Sequence, residues 1–489
     1  MNSNLPLKLL PRIQDIFFIS IFIAVLLLGQ RMLNLDGDLP RHLLTGKYIL
    51  ETKSFPTTEQ FIYPYFKQPY TPHEWLTDVI FYTIYIYTGL AGLVAFSALL
   101  IASTFTILFG KLSTRLSLRI PVFMIVAWGT IATSLNWAVR PHLVSMVLLA
   151  IWLVWTDDLA RGKKIPLWWF PVFMLLWSNL HGEFIAGILV LVAYAVGWVI
   201  DYLLDPAQAS LSAGKNIWLA LLLSAPASLI NPGGIGSWVG IFGFVNNKYL
   251  MSRMLEANTP DFQTPEMRVL LGLLAISIFL LAIKKEKLSA GQGLLLAGFS
   301  AMSLMAVRNI HLYGIVAPFV LAETLTEARN IRLVERLEIT LRNVEDRIKG
   351  VFWPVVAAIL LSIFATTNST MQNFYQFSPP MFPVAAVEWL EKNPQQGKMF
   401  NELNWGGYLA LHLWPEQLTF IDSMADVTGD VTMQYETAIT LANGWQDIFE
   451  QYNINWAIIE RDSALARELE IRQQWHVLYQ DDNSVILRK

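Results

Sequence analysis

The residues equipped for chemistry are few, and they come in short clusters. Near the start the chain reads Asp36-Gly-Asp38-Leu-Pro-Arg41-His42, then Thr71-Pro-His73-Glu74-Trp75. Later come Asn136-Trp-Ala-Val-Arg140-Pro-His142, Trp177-Ser-Asn179-Leu-His181-Gly-Glu183, Asn231-Pro-Gly-Gly234 and Arg308-Asn309-Ile-His311. Asp38, with Asp36 second, is a carboxylate suited to general-base work. Arg140 and Arg308, with His42, His73, His142, His181 and His311, suit an anionic group, since a planar guanidinium matches phosphate oxygens. Glu74 and Glu183 complete the candidate substrate contacts. There is no cysteine, which excludes disulfides, Cys-ligated zinc and thiol catalysis. The net charge of -3 gives no basic field for nucleic acid.

Each cluster also has a plain structural reading. Thr71-Pro72-His73-Glu74 fits a helix start, with Thr71 as N-cap and Glu74 closing a capping box. Asp38 could cap a helix beginning at Leu39–Pro40. Arg140 and Arg308 could snorkel to lipid headgroups. His142 or His181 alone could be an interfacial histidine bonded to a backbone carbonyl. Asn231-Pro-Gly-Gly reads as a turn, and Trp168-Trp169 and the tyrosines of 82–87 as interface belts. Placement of the clusters favours the functional reading.

That placement follows from the elements around them. The chain is 54% hydrophobic and 15% charged, against about 25% charged in a soluble domain. Apolar runs near the length a bilayer needs, about 20 residues, alternate with polar connectors up to about residue 368. Spans are expected near 15–34, 90–110, 120–138, 141–157, 165–181, 183–204, 216–230, 266–283, 288–307, 311–327 and 351–367. Residues 73–110 are either one long tilted helix or a short interfacial helix, a break at Gly89 and Gly92, and then a span. Lys8 and Arg12 precede the first run and no small-residue cleavage site follows, so it reads as a retained helix. Basic residues concentrate in cytoplasmic loops. With the N-terminus inside, Lys111, Arg115 and Arg119, then Arg161, Lys163 and Lys164, then Lys284, Lys285 and Lys287 all fall inside. Arg329, Arg332, Arg336, Arg342 and Arg347 follow on a charged connector that reads as an amphipathic surface helix. All six polar clusters then lie outside, although none of them was used to set the topology. Ionisable groups at membrane depth default to function, and a membrane rim lets a lipid tail stay in the bilayer while its phosphate reaches the site.

The first loop resembles that of the GT-C glycosyltransferases, in particular bacterial relatives of the protein-mannosyltransferase and lipid-A sugar transferase group. The resemblance rests on Asp36-Gly-Asp38 with His42, Gly46-Lys-Tyr-Ile49, Phe55-Pro56 and His73-Glu74-Trp75-Leu76. It continues through Arg140-Pro-His142, Asn179-Leu-His181-Gly and Asn231-Pro, over most of 30–320. It departs at Asp38-Leu39, where an acidic pair is common, at Glu59, where an Asp is expected, and after Asn231-Pro, which lacks an aromatic. The resemblance implies a transmembrane GT-C-like domain over 1–368, with a first extracytoplasmic loop of about 35–89. It implies inverting transfer of a sugar from a polyprenyl-phosphate-linked donor to a glycan, lipid or protein acceptor. Asp38 would be the base, and Arg140, His142, His181, Arg308 or His311 would steady the departing phosphate. Some relatives use a divalent metal. Asp-x-Asp could hold one, though the motif is too short to specify it.

Residues 369–489 read as a small extracytoplasmic α/β domain. A helix is expected at Pro383–Asn393, and another begins at Asn404–Tyr408. Strands are expected at Lys398–Asn401, Leu418–Asp422, Asn455–Glu460, Trp475–Tyr479 and Ser484–Arg488. Asp422, Asp426 and Asp430 suit turns, or a cation. The whole is a multi-pass plasma-membrane protein, with about eleven helices and the bilayer as a partner. Two other functions compete with glycosyl transfer. A transporter is disfavoured by the lack of an inverted repeat and the scarcity of mid-span ionisable groups. An inactive relative could bind a glycan or the lipid carrier.

Overall fold

The computed structural model describes residues 9–70, 72–207, 209–283, 288–345, 347, 348, 350–423 and 429–489. Lys8, Thr71, Lys284, Lys285, Lys287 and Asp426 lie outside the described residues, as does the side chain of Arg329. Every expected span meets a helix, but length divides them. Ile13–Leu33, Trp75–Leu116, His142–Ala160 and Phe184–Leu204 are, among the described residues, long and apolar enough to cross a bilayer. The other seven segments hold helices of 12 to 17 residues. Polar ends shorten several of them. Trp169–Leu180 stops at His181, which is extended, and Ala290–Met305 gives way to a 3-10 turn over Val307–Asn309. The sequence reading omitted several helices, among them Gly429–Ile439 and Trp445–Tyr452 in the C-terminal part and, in the bundle, Ile235–Asn246. Its three glycines, Gly236, Gly240 and Gly243, dilute the apolar run.

Helix Trp75–Leu116 breaks at Gly89, where φ is 65°. That conformation costs a side-chain-bearing residue but not glycine. Of the two readings offered for 73–110, this matches the interfacial helix followed by a span, though Gly92 itself stays helical. The interfacial part packs against helix Asp38–Thr52. A Cβ on Gly46 would lie 2.1 Å from the Asp78 carbonyl oxygen, so only glycine permits this approach. His42, one turn before Gly46, is thereby set beside Asp78.

Of the basic connectors expected on one side, those at 111–119 and 161–163 share one end of the bundle. Lys111 and Lys163 both reach Asp158, at 2.6 and 2.8 Å. Arg115 and Arg161 share Asp157 and Glu323, and Arg119 meets Glu345. The charged connector forms helix Arg332–Glu345, with Leu333, Leu337 and Ile339 exposed along it.

The C-terminal part carries a four-stranded sheet of β1 (Lys398–Asn401), β2 (Ile454–Glu460), β3 (His476–Gln480) and β4 (Ser484–Arg488), in the order β1-β2-β4-β3. β1 runs parallel to β2, and the other pairs are antiparallel. Helices Val384–Lys392 and Gly406–Leu413 fall where expected. The segment Leu418–Asp422 is not a strand of this sheet. It leaves the sheet and pairs with the first loop, where Thr419 exchanges backbone hydrogen bonds of 3.0 Å with Phe61 and Tyr63. The first loop and the C-terminal domain are therefore in contact, as a shared side of the bilayer requires. A cysteine placed at Gln68 and one at Gln396, both exposed, should each be labelled by an impermeant maleimide in intact cells. Labelling of one alone would contradict the shared side.

Candidate active site

Two loops bring Arg140 to the first-loop carboxylates. The Val139 N–H donates to the Met32 carbonyl at 3.2 Å, tying the Arg140 loop to the end of the first helix. Gly37 is the cap of the next helix, and Asp36 just before it accepts at Oδ1 from the Asp38 N–H at 3.0 Å. Asp38 is then the first helical residue and not the cap, which corrects the capping reading. Its carboxylate is free to meet Arg140. The Arg140 guanidinium lies 2.7 Å from Asp38 Oδ2, 2.9 Å from Asp36 Oδ2 and 3.0 Å from Glu256 Oε2. Arg140 therefore does not snorkel. Asp38 and Arg140 stay 21% and 22% exposed, so a substrate can reach them.

One guanidinium cannot neutralise three carboxylates. Burial pushes the Asp38 carboxyl up to about 6. Arg140 pulls it down, while Asp36 adds to the rise. Ser423, from the C-terminal domain, stands beside Asp38 and favours the ionised form. The space between Asp36 and Asp38 is filled by the guanidinium, so the Asp-x-Asp pair does not fit a divalent metal in this arrangement.

The remaining polar residues form a second group, brought together by ties between helix ends. The Trp75 indole donates to Asn179 Oδ1 at 2.9 Å, and the Thr77 hydroxyl to the Leu180 carbonyl at 2.6 Å. These bonds set Glu74 beside His181. Glu74 is the residue just before its helix and makes no capping bond. The capping box is thus not formed on its side, and Thr71 is not described. Acid and base alternate through the group. His42 Nδ1 is 2.8 Å from Asp78 Oδ1 and 3.6 Å from Glu74 Oε2. Glu74 Oε1 is 3.0 Å from His181 Nε2 and 3.7 Å from His73. His181 Nδ1 is 3.5 Å from Glu183, which reaches His311 Nε2 at 2.9 Å. The His142 ring packs on that of His311, centroids 5.3 Å apart. Burial opposes a charge on His42, but Asp78, Glu74 and Asp38 outweigh it and raise the ring to about 9. Burial likewise opposes a charge on Glu74. His181, His73 and His42 overcome it and hold the carboxyl well below the usual range.

The plain readings divide. His142 Nε2 does bond a backbone carbonyl, that of Asn136, at 2.8 Å. His181 does not; its Nδ1 lies 2.8 Å from the Ser145 hydroxyl. Asn231 forms a turn, its Oδ1 accepting from the Gly233 N–H at 2.9 Å and the Ser237 hydroxyl at 2.8 Å. Arg308 stands apart from the ion pairs. Its guanidinium lies over the Phe244 ring at 5.4 Å, and among the described residues its buried Nη1 has no hydrogen-bond partner. Its segment is tied to that of Glu256, since the Val307 N–H donates to the Asn258 carbonyl at 2.9 Å.

Sequence reasoning missed four partners, Asp78, Glu256, Ser145 and Ser423. It also missed a buried clamp beside the site. Arg41 is fully buried and bonds Glu59 Oε2 at 2.7 Å and Asp422 Oδ2 at 2.5 Å. Asp422 thus serves an ion pair. The Asp430 N–H donates to the Tyr65 hydroxyl at 3.2 Å.

No family model matches the chain, and no curated protein does. Among solved structures, the chain is similar to the oligosaccharyltransferase of Archaeoglobus fulgidus in the apo form. The TM-score is 0.56 at 12% identity, covering 94% of this chain and 70% of that one. The same enzyme tethered by a disulfide bond to an acceptor peptide containing the NVT sequon gives 0.54, again at 12% identity, with the same coverage. ArnT from Cupriavidus metallidurans in the apo state gives 0.53 at 11% identity, covering 96% of this chain and 97% of that one. At such identity the likeness shows the fold, and the fold is GT-C, as the first-loop resemblance implied.

Removing one partner of a buried ion pair costs about 3–5 kcal/mol, because the other charge is left unpaired. Asp422→Ala should therefore loosen the C-terminal domain from the first loop. The expected result is a lower melting temperature and faster proteolysis near residue 420, with Asp430→Ala close to wild type. Equal behaviour of the two variants would remove the clamp's structural role.

Proposed function

We propose that this chain is a membrane glycosyltransferase that moves a sugar from a polyprenyl-phosphate carrier to an acceptor hydroxyl outside the cytoplasm. In this reading the N-terminus is cytoplasmic and residues 369–489 form an extracytoplasmic domain. The observation that carries the reading is the Asp38–Arg140 pair: a carboxylate held open to substrate beside polar helix ends, in a GT-C fold. A second feature suits the carrier. Helices Phe184–Leu204 and Ala290–Met305 enclose an apolar groove of about 350 Å³, lined by Leu189, Val192, Val196, Leu294 and Phe299 among others. The first helix begins just after Glu183, and the second leads to Arg308. At about 1.5 Å per residue, a tail in the groove would bring its phosphate toward Arg308, whose charge suits it.

Asp38 takes the proton of the acceptor hydroxyl as its oxygen attacks the anomeric carbon. The bond from that carbon to the phosphate oxygen breaks, and the electron pair leaves with the phosphate. The sugar passes through an oxocarbenium-like state and inverts. Arg140 is already shared by three carboxylates, so its role is to orient Asp38. Arg308 is left to meet the growing phosphate charge, with His311 and His181 nearby in the network.

Loss of a general base costs roughly 100- to 10,000-fold in rate. Asp38→Asn leaves Arg140 paired with Asp36 and Glu256, so turnover should fall by that range while donor binding persists. Arg308→Ala should weaken donor binding as well as rate. The assay offers polyprenyl-phosphate sugars to the protein in lipid and follows release of polyprenyl phosphate by mass spectrometry. Full rate in both Asp38→Asn and Asp36→Asn would remove the base assignment. Failure of the wild type to bind any such donor would favour the inactive relative.

The pH profile gives a separate check. A base must be ionised to act, and the Asp38 carboxyl ionises near 6. The single-turnover rate should climb as pH rises through about 6 and level above it. A rate that does not fall on acidification through the carboxylate range would remove the carboxylate base.

A further inference from the structure

We propose that helix Arg332–Glu345 is a docking surface for anionic lipid headgroups, lying along the bilayer at the end of the bundle remote from Asp38. Two glutamates fix its place. Glu338 Oε1 accepts from the Arg119 and Ile120 N–H groups at 2.8 and 2.7 Å, and so satisfies free donors at the start of helix Ile120–Thr133. Glu345 Oε1 accepts from the Ile13 N–H at 3.1 Å, and its other oxygen meets Arg119. Ile13 opens the first helix, and the far end of that helix, about 30 Å away at 1.5 Å per residue, leads to Asp36. The connector helix is therefore held at the opposite end from the candidate active site.

With Glu338 and Glu345 turned to the bundle, the rest of the helix faces outward. Leu333, Leu337 and Val344 are exposed, and their spacing of four and seven residues puts them on one stripe. Arg332, Arg336 and Arg342 are exposed as well, against a single exposed glutamate of this helix, Glu335. The outward surface thus joins an apolar stripe to net positive charge, the pattern of a helix that lies in the interface plane. Arg332 and Arg336 each precede a leucine of the stripe, about 100° round the helix at 3.6 residues per turn. From there a long side chain can snorkel to a headgroup. The chain that follows fixes the level. Helix Trp353–Thr367 is one of the expected spans, and Phe352 stacks on Trp353 at its start, centroids 5.3 Å apart. Such aromatics mark a membrane interface. A soluble protein or a second copy would also cover an apolar stripe, but the adjoining span and the excess of arginine favour lipid. In the proposed orientation this end is cytoplasmic, where anionic lipids give the bilayer surface a negative potential. The inference rests on the membrane reading of the chain and not on sugar transfer.

The test uses the purified full chain in nanodiscs of mixed phosphatidylcholine and phosphatidylglycerol. Because there is no native cysteine, Leu333→Cys, Leu337→Cys and Glu335→Cys each carry one spin label. At the two leucine positions the label should collide more with oxygen, which concentrates in the bilayer, than with a water-soluble nickel complex. At Glu335 the order should reverse. Native mass spectrometry of the released protein should find phosphatidylglycerol retained over phosphatidylcholine. That preference should fall about fivefold for each arginine lost in Arg332→Gln and in Arg332→Gln/Arg336→Gln, the equivalent of about 1 kcal/mol per basic residue near a charged surface. Arg472→Gln, at an exposed position of the C-terminal domain, should leave it unchanged. Equal nickel collision at all three positions would place the face in water and overturn the proposal. Leucine positions shielded from both reagents would mean that a protein covers the face, which overturns it too. An unchanged lipid preference in the double variant would remove the anionic headgroup as the occupant.

Discussion

A buried guanidinium holds the site in place. Arg41 is out of water altogether, between Glu59 and Asp422, with the Phe61 ring 4.4 Å beneath it. Burying such a charge costs several kcal/mol, and an isolated pair often fails to recover that. The second carboxylate and the stacked ring change the balance. Glu59 is itself fixed, its Oε1 accepting from the backbone N–H groups of Phe61 and Ile62 at 2.7 and 3.1 Å. Arg41 thus joins the start of one helix, the first loop and the C-terminal domain. Asp38 and His42 are on the same two turns of that helix. Neither can shift without unpairing the clamp.

From that fixed turn the electrostatics divide into two regimes. Around Arg140 there is one cation for three carboxylates, so negative charge is in excess and burial keeps Asp38 near the edge of ionisation. Around His42 and Glu74 acids and bases alternate, and each stabilises the charge of the next. Opposite charges a few ångströms apart interact strongly away from bulk water. The first regime suits a group that must gain and lose a proton. The second suits holding an array of side chains in fixed orientation. Arg308 belongs to neither and, among the described residues, keeps an unpartnered donor.

Much of this was visible in the sequence because polar residues are conspicuous in an apolar chain. Asp38, His42, Glu74, Arg140, His181, Glu183 and His311 stood at helix ends, and the fold joins them into two neighbouring groups. Their partners were harder to find. Glu256 sits in an ordinary polar connector, and only the tie between Val307 and Asn258 brings its segment to the site. Asp78 reads as a solvated position near a helix start. It is buried because Gly46 lets another helix come within contact of its backbone, a fact about two segments that no single window contains. Leu418–Asp422 has the pattern of a buried strand and is buried, yet its backbone pairs with the first loop. Hydrophobic pattern reports burial and not the identity of the neighbour.

The same long-range contacts make the C-terminal domain part of the site. Gly37 lies so close to the Asn404 carbonyl that a Cβ there would come within 2.3 Å of its oxygen. Gly407 packs on Arg41, and Ser423 stands beside Asp38. A carboxylate placed by contacts from both the membrane bundle and a soluble domain is correctly placed only when the two are docked. In the proposed transfer, an acceptor that enters between them would meet a base whose position depends on that docking. Where binding and positioning draw on the same contacts, binding energy can be used to set the geometry of the reaction and not only to hold the substrate.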